Sequence, residues 1–211
     1  MPQLIEQTIK DFLDYLKFQK RYSQHTVIAY QNDLNSFFNF IHQQFGDTFP
    51  GDIKTTFVRS WLAELKELGM ESKSINRKIS ALKSFFKYQL IRERIQVSPM
   101  VTLISPKVSK RLPRFVDKDA MITLFQRVEF PDTWDGKTQR LLMELFYNTG
   151  IRQAELVGLK EKHISKSNSS IRVLGKGNKE RVIPVSTQLM NQMQEYMLEK
   201  KRIFEAGDDV F

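Results

Sequence analysis

The sequence predicts a mainly α protein: a four-helix N-terminal bundle, then a helical second half carrying one small antiparallel β-hairpin. Three observations predict it. Apolar residues recur at i, i+3, i+4 and i+7 along most of the chain, as amphipathic helices require. Strand-like alternation is confined to residues 171–173 and 182–185, which flank the turn-forming run Gly175-Lys176-Gly177-Asn178-Lys179. The basic segment VSPMVTLISPKVSKRLPRFVD separates the halves, and Pro99, Pro106 and Pro113 interrupt any helix there.

The elements follow in order. Residues 3–18 form a first helix with Leu4, Ile5, Ile9, Phe12, Leu13 and Leu16 on its apolar side. Ser23 caps a second, whose apolar positions are Val27, Ile28, Tyr30, Leu34, Phe37, Phe38 and Ile41. Asp52 opens a third through Phe57, Val58, Trp61, Leu62 and Leu65, and Gly69 stops it. Ser72 or Ser74 caps a fourth, with Ile75, Ile79, Leu82, Phe85, Phe86 and Leu90 facing inward. Helices of these lengths on short loops make a compact bundle. The aromatic residues are most simply its core.

In the second half, Asp117 or Asp119 starts a helix with Met121, Ile122, Leu124 and Phe125. A loop with Pro131 and Gly136 leads to a helix carrying Leu141, Leu142, Leu145 and Phe146, and Gly150 supplies the positive φ of a sharp C-terminal turn. Leu156, Val157 and Leu159 continue an apolar face beyond that turn. After the hairpin, Ser186 and Thr187 cap a last helix, in which Tyr196 reads as core. Residues Val210 and Phe211 form an apolar end.

The chain has 211 residues, 41% of them hydrophobic, enough for a packed core. Its net charge of +9 and pI near 9.6 favour a polyanionic partner, nucleic acid before an anionic membrane surface. Without cysteine there is no disulfide and no thiolate metal site. Three scattered histidines, His25, His42 and His163, lack metal-ligand spacing, so no metal is expected. Neither a signal peptide nor an apolar span is evident, so the protein is expected in the cytoplasm.

Two sets of side chains suit phosphate. Arg152 stands at a turn between two apolar helices and Lys176 at the hairpin tip, fixed cations with five and three donors. On the fourth helix Asn76, Arg77, Lys78, Lys83 and Lys87 sit off the apolar stripe, and positions 76, 80, 83 and 87 share a face. Such a face either meets DNA phosphates or is simply solvated.

TGIRQAEL followed by LGKGNKERVIPVS resembles the tyrosine recombinases, closest to Xer-type site-specific recombinases and phage integrases. YSQHTVIAYQNDLNSFFNF and SINRKISALKSFFKY are similar to the core-binding domain of that family, so the resemblance covers nearly the whole chain. It implies a SAM-like core-binding domain over residues 1–105, a linker over 106–114, and the N-terminal part of the catalytic domain over 115–211. It makes Arg152 the first catalytic arginine and Lys176 the catalytic lysine, with Lys179 and Arg181 as competitors that otherwise contact DNA backbone. Glu155, three residues after Arg152, either braces it or is a surface residue. His25, Thr26, Asn76, Arg77, Lys78, Lys83 and Lys107 become the further DNA contacts.

The resemblance also implies site-specific DNA strand cleavage and rejoining through a 3′-phosphotyrosine, without cofactor, by a tetramer on two double-stranded DNA sites when complete. The family continues into an H-x-x-R motif and a nucleophilic tyrosine, and no histidine here has arginine three residues on. The expectation is therefore a C-terminally incomplete recombinase that binds duplex DNA and does not cut it alone, with Met190, Met193, Met197 and Phe204 as exposed apolar surface. The alternative is a non-catalytic relative occupying a recombination site.

Overall fold

The computed structural model describes residues 3–109, 115–175, 177, 179–204 and 211. The protein is mainly helical and folds as two compact units, Met1–Leu112 and Pro113–Phe211.

The first unit holds α1 (Gln3–Asp14), a π turn over Tyr15–Gln19, α2 (Gln24–Phe45), α3 (Thr55–Glu67) and α4 (Ser72–Ile91). Ser23 caps α2, its Oγ accepting from Thr26 N–H. Two starts differ from expectation. Helix α3 begins at Thr55, after Lys54, rather than at Asp52. Helix α4 has Glu71 at its N-cap with no side-chain cap, so Ser72 and Ser74 lie inside its first turn. Polar residues crowd both segments, so composition does not single out the cap.

The core of this unit is aromatic. Phe37, Phe38, Phe85 and Phe86 are fully buried, and Trp61 lies 5.1 Å from Phe37, ring centre to ring centre. Edge-to-face pairs such as Phe38–Phe85 and Phe12–Phe85 join α1, α2 and α4. Ile95, Met100 and Leu103 extend this core beyond α4. That segment is also tied down by polar contacts: Thr55 Oγ1 donates to Pro99 O, and Asn76 Nδ2 to Pro106 O, both at 2.9 Å. Leu4 and Ile28, expected among the apolar positions, are exposed.

The second unit comprises α5 (Lys118–Arg127), α6 (Trp134–Thr149), α7 (Gln153–Val157), a 3-10 turn at Glu161–His163, β1 (Ile164–Ser165), β2 (Ser170–Leu174), β3 (Glu180–Pro184) and α8 (Thr187–Ile203). Asp117 caps α5 and Ser186 caps α8. Helix α6 starts earlier than expected, at Trp134 after its Thr133 cap, and Gly136 lies within its first turn. A Cβ at Gly136 would stand 2.0 Å from Pro131 O, so the preceding loop folds back onto that turn. At the other end Gly150 adopts φ +59°, and its N–H closes on Phe146 O.

The hairpin is part of a three-stranded antiparallel sheet, β1-β2-β3. The short β1 escapes sequence reading because two residues show no alternation. Ile171 and Val173 turn inward to join Leu141, Leu145, Ile151, Leu156, Leu159, Val185 and Leu189. Met190 and Met193 are buried in this core, correcting their expected exposure, whereas Phe204 is exposed as expected. Val157 is exposed, not part of the apolar face. Tyr196 packs against the core, its ring stacked on Trp134 at 4.5 Å and its hydroxyl 3.0 Å from Thr138 Oγ1.

Candidate functional site

In the second unit the site is built by α7 and the sheet. Arg152 takes the extended N-cap conformation, φ −80° and ψ 150°, with Glu155 as the third residue of the helix it opens. Glu155 reaches back over the first turn and accepts from Arg152 N–H at 2.9 Å. The same carboxylate takes a second bond at its other oxygen, from Arg152 Nη1 at 2.7 Å.

The sheet supplies a third donor. β2 pairs with β3 so that Val173 faces Arg181, and Val173 is buried. Facing residues of an antiparallel pair share a side of the sheet. Arg181 is therefore directed to the inner side, where its Nη2 donates to Glu155 Oε2 at 2.8 Å. Gly175 makes room for this: a Cβ there would meet Glu155 Oε1 and Lys179 O at 3.3 Å each. Gly175 N–H closes the hairpin on Lys179 O at 2.7 Å.

The electrostatics follow. The Glu155 side chain is 3% exposed, those of Arg152 and Arg181 61% and 40%. The Arg152 N–H, then the two guanidinium groups, hold the Glu155 carboxyl below the usual carboxylate range, against the opposing pull of burial. One buried anion thus carries two half-exposed cations, and an excess positive charge faces solvent. Two planar forks, each bonded to Glu155 through one nitrogen, can each grip an oxygen of a phosphodiester with another. Glu155 is accordingly a buried brace and not a surface residue. Lys179 is exposed beside this cluster in sequence. Lys176, expected as the catalytic lysine, lies outside the described residues, as do Lys110, Arg111 and Arg114.

In the first unit α2 and α4 run antiparallel, Tyr30 meeting Ser84 and Asp33 meeting Arg77. Helix α4 contains no acidic residue, and Lys73, Arg77, Lys83 and Lys87 are exposed along it. His25 is exposed at the start of α2, and the Thr26 hydroxyl is shared with the Ser23 cap at 2.9 Å. Lys107 is exposed. The polar face is not as expected in two places. Lys78 is buried, its Nζ 3.1 Å from Asp33 Oδ1 and 5.6 Å from the Trp61 ring centre. Asn76 is spent on Pro106. Helical drift explains Lys78: position 78 lies between the core positions Ile75, Ile79 and Leu82, at i+3, i−1 and i−4.

Asp33 is the residue sequence reasoning missed. Its signal was present, because Asp33 falls three after Tyr30 and four before Phe37, on the apolar stripe itself. An acid there has to find cations inside the fold. Among the described residues, no group of three or more His, Cys, Asp or Glu could hold a metal ion. No described helix is long and apolar enough to cross a membrane.

A helical N-terminal unit and a second unit with arginines arrayed on one buried carboxylate define a protein of the integrase fold type. Solved structures agree on the fold. A lambda integrase tetramer bound to a Holliday junction superposes with a TM-score of 0.69 at 21% identity, covering 98% of this chain and 58% of that one. The Tn1549 transposon integrase in complex with transposon right end DNA gives 0.68 at 17% identity, covering 92% and 65%. Residues 9–94 match the phage integrase N-terminal SAM-like domain, and residues 114–211 the phage integrase family. The chain is 35% identical over 205 residues to the tyrosine recombinase XerC of Staphylococcus saprophyticus, covering 97% of this chain and 68% of that protein. With its namesake from Staphylococcus haemolyticus it shares 34% over 192 residues, covering 91% and 64%. The chain belongs to the tyrosine recombinase family of the phage integrase type, and spans about two thirds of the length of these curated relatives.

Proposed function

We propose that this chain supplies the DNA-gripping machinery and part of the phosphate-activating machinery of a site-specific DNA recombinase. The observation that carries the proposal is the pair Arg152 and Arg181, held half-exposed on the buried Glu155 carboxylate. Negative charge builds on the nonbridging oxygens as a phosphodiester is attacked, and preorganised cations stabilise it without reorganising. Arg152 meets those oxygens, Arg181 and Lys179 hold the backbone beside them, and Lys176 protonates the departing 5′ oxygen.

In the complete reaction a tyrosine hydroxyl attacks phosphorus in line, its proton passing to solvent, and the P–O5′ bond breaks. The 5′ oxygen takes its proton from the lysine, and the strand end is kept as a 3′-phosphotyrosine. Attack by a 5′ hydroxyl reverses the step, so no cofactor is required. The first unit lies along the duplex through α4, with Arg77 and Lys83 on phosphates and His25, Thr26 and Lys107 flanking them. The whole assembly is a tetramer on two double-stranded DNA sites, acting in the cytoplasm in integration or chromosome-dimer resolution.

Residues 1–211 alone bind duplex DNA without cutting it, because the H-x-x-R and tyrosine motifs that the resemblance requires are not among them. Gel-shift titration of a duplex with wild type, Arg152→Gln and Arg181→Gln tests the site. Weaker binding by both variants is expected; unchanged affinity in both overturns the assignment.

A further inference from the structure

The Asp33 cluster poses a question of charge balance. Asp33 has a side chain only 3% exposed and lies on α2 within the aromatic core. Lys78, 10% exposed, already neutralises it at Oδ1. A buried carboxylate paired with one buried ammonium is electrically complete. Yet Oδ2 accepts from Arg77 Nη1, and the Arg77 side chain is 53% exposed. Arg77 is therefore a surplus cation, fixed from behind and open in front. It stands on a helix without acids, next to the exposed Lys73 one turn back. A free surface arginine loses much side-chain entropy on gripping a phosphate; one already anchored loses less.

We propose that Asp33 is a positioning residue that presents Arg77 as a fixed phosphate contact for duplex DNA, with Lys78 as the buried counter-cation that makes Asp33 tolerable in the core. The inference rests on the reading of this protein as a DNA binder and deepens it. Asp33 never touches DNA. It fixes one nitrogen of the guanidinium, leaving the remaining N–H groups for the phosphate.

The test uses the whole 211-residue chain and a duplex, with affinity measured by fluorescence anisotropy over a salt series and folding checked by circular dichroism. Arg77→Gln should weaken binding about tenfold and reduce the slope of log K against log salt by about 0.9, one phosphate contact. The decisive variant is Asp33→Asn/Lys78→Met. It removes one negative and one positive charge together and leaves net charge unchanged, and because the Asn oxygen can still accept from Arg77, Asp33→Leu/Lys78→Met, which removes that acceptor as well, is measured beside it. A purely structural or long-range electrostatic role predicts wild-type affinity for it. Positioning predicts a loss approaching that of Arg77→Gln, and no further loss when Arg77→Gln is added. Wild-type affinity in the folded double variant, or an unchanged slope in Arg77→Gln, overturns the proposal. If the wild type itself fails to bind duplex, the DNA-binding reading falls, and this inference with it. An Asp33→Leu/Lys78→Met protein that does not fold is replaced by Asp33→Ala/Lys78→Met, judged by the same two outcomes.

Discussion

Glu155 and Arg181, 26 residues apart, are joined Oε2 to Nη2 at 2.8 Å, and this bond ties the sheet to the short helix that carries Arg152. One carboxylate therefore sets the position of two cations from two different elements. Removing it should affect both stability and phosphate binding.

Glu155→Gln tests the first of these. The amide keeps the shape but loses the charge, and the arginines are exposed enough to turn to water, so the cost should be about 1–2 kcal/mol. The pH dependence has a definite sign. The Glu155 carboxyl is held below its ordinary value of 4.5, so its stabilisation is present above that pH and is lost as pH falls through the lower folded value. Thermal melts of wild type and variant should differ from neutral pH to about 5 and converge in stronger acid. A difference that grows below pH 4 would contradict the assignment.

Gly175 is predicted to resist substitution. A Cβ there meets Glu155 Oε1 and Lys179 O at 3.3 Å, and a branched side chain leaves neither room to move. Gly175→Val should destabilise the second unit by about 1–3 kcal/mol and weaken duplex binding, measured by urea melts and gel shift. A substitution without effect on either would show that the hairpin base is not packed on the carboxylate.

The chain's two tryptophans report on different cores, Trp61 in the first unit and Trp134 in the second. Leu145 is fully buried in the second core. Leu145→Ala should cost about 2–5 kcal/mol there. In single-tryptophan variants, the urea midpoint read by Trp134 should fall and that read by Trp61 should hold. A matching fall in both would mean the units unfold as one.

Arg152→Lys keeps the charge and loses the fork. If bidentate phosphate contact matters, duplex affinity should drop nearly as far as in Arg152→Gln, while the salt slope stays closer to wild type. Full retention of affinity by the lysine variant would reduce Arg152 to a point charge.

Much of this was legible in the sequence, and the failures have physical reasons. The helices of both units and the β2–β3 pair followed from periodicity, and the Ser23 and Ser186 caps from residue type, with Asp117 one of two candidates for the cap of α5. The starts of α3, α4 and α6 did not, because a cap depends on local backbone angles that several neighbouring polar residues could satisfy. β1 was too short to show a period. Arg152 and Arg181 were legible as residues; that they share Glu155 was not, since the register Val173 with Arg181 is fixed only when the strands pair. Lys78 looked like a surface lysine because its partner is an aspartate 45 positions away. Asp33, a charge on an apolar stripe, was the legible clue to that pairing.

The central claim is that residues 1–211 grip duplex DNA through phosphate contacts and do not cleave it. Titrating a duplex with this chain across a salt series, and running the same mixtures on a denaturing gel, tests it most directly. The prediction is an affinity that falls linearly, and steeply, in log K against log salt, with all of the DNA migrating free of protein after denaturation. Salt-insensitive binding, or a covalent protein–DNA band, would contradict it.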